Sequence, residues 1–249
     1  MKKISIVLVA LLVSGLTYAQ EFKVAKSTGR LNLHIGRVTV EGHSGNEIIF
    51  SSRDGRDKDE DKRAQGLRPV SGSGYEDNTN LGINVTEKDG AVEVNQLKKM
   101  NSPDIKILVP KGVIVSFSHE SQYGGDAIFR NMENEIEVSC QYNSVELENV
   151  TGPLTVKAVY GGVDATFTSA VKGPISIVSI YGHVDVALPV ATKATLKMTT
   201  SYGEIFMAPE FKMEVEKNSD SERVKGTING GGMAIDFRSD YGKIYLRKK

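Results

Sequence analysis

From residue 117 onward, apolar and polar positions alternate along the chain in short runs, and the runs recur at a fixed distance. Each recurrence is centred on a tyrosine: Tyr123-Gly124, Tyr142-Asn143, Tyr160-Gly161, Tyr181-Gly182, Tyr202-Gly203 and Tyr241-Gly242. The first five are spaced by 19, 18, 21 and 21 residues, and the last gap, 39, is close to two periods. Six residues before the tyrosine stand Phe117, Ile136, Leu154, Ile175, Leu196 and Ile235. Three after stand Asp126, Val145, Val163, Val184, Ile205 and Ile244, and five after stand Ile128, Leu147, Ala165, Val186, Met207 and Leu246. Those three columns are apolar in 17 of 18 cases. Two before, the residue is small: Ser121, Cys140, Ala158, Ser179, Thr200 and Ser239. Alternation by two is the signature of a strand with one buried side, and a period near 20 is that of a solenoid of stacked coils.

The inward parity is even before the tyrosine and odd after it, so one extra residue sits at Tyr-Gly. A corner or bulge does this, and glycine there suggests a positive φ, with Asn143 as its next best substitute. Gly152-Pro153 and Gly173-Pro174 mark a second corner. Each coil therefore reads turn, strand, Tyr-Gly corner, strand, turn. The expected fold is all-β: a right-handed single-stranded parallel β-helix with coils of about 18–21 residues, stacked about 4.8 Å apart, seven to nine in number.

The remaining stretches divide around this stack. Residues 1–19 read as a signal peptide, with Lys2 and Lys3 before an apolar run and Thr17-Tyr18-Ala19 as the cleavage site. Residues 20–249 then form one β-helix domain. Leu31–Ile35, Val38–Val40 and Glu47–Phe50 read as its opening strands and first cap. Residues 51–80, which hold the charged run Asp54–Arg63, and residues 208–224 read as polar insertions. Thr227–Leu246 is expected to close the stack, with Gly230-Gly231-Gly232 as a tight corner.

Composition narrows function chiefly by exclusion. Basic and acidic residues balance at 31 each, so no clustered basic surface argues for nucleic acid. The single cysteine, Cys140, cannot close an internal disulfide and reads as a buried small residue. His34, His43, His119 and His183 are scattered without metal-ligand spacing. The one polar repetition is Glu146, Asp164 and Asp185, four residues after three successive tyrosines. By parity these point outward, as a solvated stripe relieved by nearby Lys and Arg, a weak divalent-cation ladder, or a carboxylate pair for sugar cleavage. Tyr160, Tyr181 and Tyr202 are candidates for an aromatic binding surface. Their parity with the inward positions favours rings packed at the corner or partly inside, over the small residue two before. No catalytic residue or cofactor is expected.

The leader, the strand pair at 31–40, GLRPVSGSG at 66–74, VPKGV at 109–113 and ENVTGPLTVKAVYGGV at 148–163 together resemble one bacterial family. So do GPISIVSIYGHVDVALP at 173–189 and TTSYGEIF at 199–206. The family is labelled "putative adhesin", a domain of unknown function. The resemblance implies an exported right-handed β-helix, periplasmic, secreted or on the cell surface, and brings no catalytic residues with it. His119 and Asp126 in the first coil, and Asn143, depart from its pattern. The expected function is non-catalytic adhesion or scaffolding, with an envelope protein or a glycan as partner and no membrane span in the mature chain. The alternative is a carbohydrate-binding or polysaccharide-cleaving β-helix. A sensory or envelope-stress role is neither supported nor excluded by the sequence.

Overall fold

The computed structural model describes residues 21–53, Arg63, Leu67, 71–215 and 223–249. The leader, most of the charged run and residues 216–222 lie outside the described residues.

The chain opens with β1 (Glu21–Val24) and a first coil, β2 (Thr28–His34) and β3 (Arg37–His43). An excursion follows, β4 (Ile48–Ser52) and β5 (Ile83–Lys88). Coils then succeed one another as β6 (Ala91–Gln96) with β7 (Asp104–Pro110), β8 (Gly112–His119) with β9 (Ala127–Met132), and β10 (Ile136–Cys140) with β11 (Val145–Val150). Next come β12 (Leu154–Ala158) with β13 (Val163–Thr166), β14 (Ile175–Ser179) with β15 (Val184–Leu188), and β16 (Ala194–Thr200) with β17 (Ile205–Met207). A second excursion, β18 (Met213–Val215) and β19 (Arg223–Ile228), precedes the last coil, β20 (Met233–Ser239) with β21 (Ile244–Lys248).

The two strands of each coil lie in different sheets. One sheet runs β1-β4-β7-β3-β9-β11-β13-β15-β21-β17, and the other β18-β19-β16-β20-β14-β12-β10-β8-β2-β6-β5. Coil-to-coil pairing is parallel throughout, for example Leu154↔Ile175↔Ile235 in one sheet and Val163↔Val184↔Ile244 in the other. The apolar columns face each other across the space between the sheets, and Val115, Val138, Val156, Ile177, Leu147 and Val186 are all at most 3% exposed. The expectation of an all-β parallel solenoid holds, as a two-sheeted stack of eight coils among the described residues.

The stacking order differs from the expected one at both ends. The coil β2–β3 does not begin the stack; it lies between β6–β7 and β8–β9. The last coil in sequence, β20–β21, does not close it; it slots between β14–β15 and β16–β17. The first and the last coil are thus each held on both sides by parallel neighbours, which doubles the ladder bonds and the apolar contact of a coil at the edge. The excursions supply antiparallel caps instead. β4 lies against β7 with β1 outside it, β5 lies against β6, and β19 lies against β16 with β18 outside it.

Both stretches read as polar insertions contribute to this capping. In 51–80, Thr79 is buried, Asp77 accepts from the backbone N–H of Thr79 and Gly82 (3.0 and 2.9 Å), and the Asn78 amide pairs both ways with the Val85 backbone (2.7 and 2.9 Å). In 208–224, Phe211 is 3% exposed and plugs the end of the core. Polarity of composition hid a cap whose side chains are spent on backbone groups.

The corner glycines work differently from expectation. None of Gly161, Gly182, Gly203 and Gly242 has a positive φ. Each is needed because the corners stack backbone on backbone. A Cβ would stand 1.9 Å from Asn143 O at Gly161, 2.3 Å from Gly161 O at Gly182, 2.1 Å from Gly182 O at Gly242 and 1.8 Å from Gly242 O at Gly203. The left-handed conformations occur instead at Asn229, Gly230 and Gly231 (φ 50, 84 and 80°), in the tight corner expected there.

Asn143 can carry a side chain because the coil beside it has a wider corner. Cys140 pairs with His119 and Val145 with Ala127, so eight steps separate the flanking positions there against five in the coil of Asn143 itself. This register explains both apparent departures in the first tyrosine-bearing coil, β8–β9: the columns run through Val115, Phe117, His119, Ala127 and Phe129, and Asp126 belongs to the loop. The Asn143 amide fills the opening, donating to Gly36 O (2.8 Å) and Gly125 O (2.6 Å) and accepting from His119 Nδ1 (2.8 Å).

Replacing Gly182 by Ala is expected to lower stability by about 1–3 kcal/mol, the cost of forcing the stack apart. Gly72→Ala, with open space around it, should change stability by less than about 0.5 kcal/mol. Urea unfolding of the two variants measures the contrast, and equal effects would remove the close-approach explanation.

Candidate functional site

In the coils from β10–β11 onward, the corner that ends the first strand throws the tyrosine outward. The small residue two before is buried beneath the corner, but its work is polar. Ser179 Oγ donates to Gly161 O (2.9 Å) and accepts from Gly182 N (3.0 Å), and Ser239 Oγ donates to Gly182 O (2.8 Å). Thr200 Oγ1 accepts from Gly203 N (2.8 Å). Cys140 donates its thiol toward Asn143 O (3.5 Å), and burial pushes that thiol up to about 11, as befits an inert core residue. These hydroxyls tie one corner to the next, so the rings are not needed as lids.

The rings instead form an external ladder. Tyr142, Tyr160, Tyr181, Tyr241 and Tyr202 follow in that spatial order, with centroids 5.0, 5.1, 4.9 and 4.9 Å apart and interplanar angles of 17, 8, 14 and 13°. The parity argument placing them partly inside fails, because the extra corner residue turns the tyrosine out of the strand's alternation. The first four are 46–52% exposed and the end ring, Tyr202, is 76% exposed. With neighbours covering both ring faces, Tyr160, Tyr181 and Tyr241 present ring edges and hydroxyls to solvent. A sugar cannot stack on a face already covered. Tyr123, on the wider corner, has no ring contact with this ladder among the described residues.

Glu146, Asp164 and Asp185 are in direct register on neighbouring coils, Glu146↔Asp164↔Asp185. Glu146 and Asp164, but not Asp185, line a shallow depression of about 350 Å³ with Asp126, Glu148 and Thr166. Each of the three acids in register has a cationic or imidazole partner. Arg130 reaches Glu146 (3.1 Å) and Glu148 (2.6 Å), His183 Nε2 lies 3.1 Å from Asp164, and Arg247 grips Asp185 (2.7 and 2.8 Å). Among the described residues no group of three or more His, Cys, Asp or Glu side chains is placed to hold a metal ion. The other histidines are occupied singly: His34 beside Glu93 (3.5 Å), His43 Nε2 at Glu47 O (2.7 Å) and His119 at Asn143.

Two features were not singled out in the sequence. The column that holds the three acids continues, in stacking order, through Tyr245 and Phe206. These rings stack at 5.4 Å and 11°, with Arg247 over Tyr245 (5.1 Å) and Lys243 over Phe206 (5.5 Å). Both lie four residues after a tyrosine, so the repeat contained the signal. On the opposite corner, Glu133 is held by Lys111 and Lys172 from two other turns, each at 2.8 Å. Nothing in the local sequence pairs these three.

The two lysines hold the Glu133 carboxyl down at about 2, chiefly through their hydrogen bonds. A depressed folded-state value stabilises the fold fully above the ordinary carboxylate range and loses that contribution as pH falls toward about 2. The group is exposed, so the contribution is small. NMR titration should find Glu133 protonating near pH 2, and Lys172→Ala should move it upward. A wild-type midpoint at the usual glutamate value would contradict the pairing.

Residues 131–247 match the family described as Toastrack DUF4097, a domain of unknown function. The whole tyrosine ladder, Tyr142 to Tyr241, lies within this match, in line with the resemblance read from the motifs. No curated protein matches the chain. A solved structure described as a "putative cell adhesion protein" from Clostridium sporogenes is similar over 93% of this chain and 100% of its own, at 14% identity and a TM-score of 0.47. A second, a "putative adhesin" from Bacteroides fragilis, is similar over 93% and 96%, at 11% identity and a TM-score of 0.32. At these scores neither structure bears on what the chain does.

Proposed function

We propose that this Toastrack protein is exported and acts without catalysis, as an adhesin or cell-envelope scaffold that contacts its partner through the tyrosine edge. The observation that carries this reading is the ladder: five half-exposed rings in one line, held by the rigid corner network behind them. Aromatic side chains are enriched in protein contacts because they bury much area at little entropic cost. A row already ordered by stacking costs less still on binding. The exposed hydroxyls and ring edges suit hydrogen-bonding partners, an envelope protein or the rim of a glycan. Right-handed winding of the coils belongs to the same reading, as about 98% of parallel crossovers take that hand.

The runner-up is carbohydrate binding or cleavage at Glu146, Asp164 and Asp185, favoured by the depression that the first two line. It ranks second because those carboxylates sit on an open sheet with Arg130, His183 and Arg247 engaged. Catalysis needs an acid and a base held at different protonation states in a pocket, and water on an open face works against that.

A binding screen of the purified chain from Gln20 against envelope proteins and glycans tests the proposal. Tyr181→Ala breaks two of the stacks and should cost about 1–3 kcal/mol of stability. It should leave the β signature in circular dichroism and abolish partner binding. Polysaccharide turnover by the wild type, lost when Glu146, Asp164 and Asp185 become Gln, Asn and Asn, would replace this reading by the runner-up. Export has its own check. Mass spectrometry of protein from the native host should find Gln20 at the N-terminus, outside the cytoplasm; Lys2 and Lys3 retained in a cytoplasmic fraction would refute it.

A further inference from the structure

The two sheets have four ends, and three are closed by antiparallel strands: β4 and β1, β5, and β19 and β18. The fourth is not. β17 ends its sheet as a member of the parallel stack, with β21 on one side and no strand on the other among the described residues. Ile244 N donates to Glu204 O (2.9 Å) and Ala208 N to Leu246 O (2.8 Å). By the alternation of a parallel ladder, the peptide groups of Ile205 and Met207 point the other way.

Short strands are one way proteins blunt an exposed edge, and β17 has only three residues. Its side chains do not blunt it. Three columns that run through the stack all stop here with one side unfilled. Tyr202 is stacked on one face by Tyr241 and is the most exposed ring of the ladder. Phe206 is stacked on one face by Tyr245 and is 43% exposed. Glu204 takes Lys243 at 2.8 Å and is 61% exposed, whereas Glu133, inside the stack, takes a lysine from each side. A depression of about 420 Å³ beside the edge is lined by Phe206, Met207, Ala208 and the end of β21.

We propose that the β17 edge binds an extended peptide segment of a partner protein as one more parallel strand. Charge and ring complementarity set its chemistry. An aromatic residue stacks on Tyr202, a Lys or Arg two residues later meets the free side of Glu204, and a second aromatic residue two further on stacks on Phe206. The segment Tyr241-Gly242-Lys243-Ile244-Tyr245 has this pattern and already fills the same positions on the other side of β17. Addition of a strand to an open edge gives affinity through the main chain, and the alternate side chains give selectivity. The edge adds to the tyrosine-edge reading and does not rest on it.

The probe is a fluorescent peptide with the sequence of residues 239–247, titrated into the chain from Gln20 and read by anisotropy, beside a scrambled peptide of equal composition. The ordered peptide should bind saturably and the scrambled one about tenfold more weakly, the worth of one ring stack with one exposed ion pair. Glu204→Lys, on the surface, should weaken binding by about the same factor. Met207→Pro removes an outward N–H and should abolish it; where that variant misfolds, Glu204→Lys decides. Tyr181→Ala, in the middle of the ladder, should leave peptide binding unchanged. Equal binding of both peptides, or no effect of Glu204→Lys, would overturn the proposal. So would a dimer in sedimentation with the Ile205 and Met207 amides protected from exchange, which would assign the edge to a second copy.

Discussion

The structure depends on one contact: the backbone of each Tyr-Gly corner lying directly on the backbone of the next. Carbonyl oxygens stand about where a Cβ would be at Gly161, Gly182, Gly203 and Gly242. That proximity fixes the coil spacing at the ladder repeat of a parallel sheet. Once the spacing is fixed, the rest follows. Apolar columns meet above and below, seryl and threonyl hydroxyls bridge from one corner to the next, and tyrosines five ångströms apart have no choice but to stack. The wider corner at residues 120–126 shows the rule by its exception. There the backbone contact opens, and Asn143 fills the space with an amide that satisfies two carbonyls and a histidine.

The same spacing makes the outside of the molecule a set of columns. Each outward residue has a neighbour directly above and below it, so like residues form rows and unlike charges pair across coils. The acidic row is partnered by Arg130, His183 and Arg247 from flanking positions. The aromatic row cannot be partnered in that way; it stays as an exposed strip. A solenoid with flat, ion-paired faces and one aromatic edge offers extended surface and little concavity, which suits contact with a partner better than enclosure of a substrate.

The ends of the stack are where the regular rules stop. Both terminal coils of the chain are tucked one place inside, and stretches of polar composition are spent on caps. Asp77, Asn78 and Thr79 bond to backbone that would otherwise be a bare edge, and Phe211 closes the far end of the core. The cap is incomplete at β17, where three columns meet solvent together.

The repeat itself was legible in the residues. Period, inward columns, parallel stacking, coil number and the register of Glu146, Asp164 and Asp185 all follow from alternation and spacing, because a solenoid contact is made between equivalent positions of successive copies. Three things were decided only in three dimensions. The stacking order of the first and last coils is a choice among neighbours, and a coil carries no mark of which two it will lie between; hence Tyr241 sits between Tyr181 and Tyr202. The outward turn of the tyrosines depends on the corner's path, which parity cannot follow across an inserted residue. The reason for glycine at the corner is a carbonyl from another coil, some twenty residues away or more, and a local sequence that permits a positive φ looks the same as one that must leave room for a neighbour.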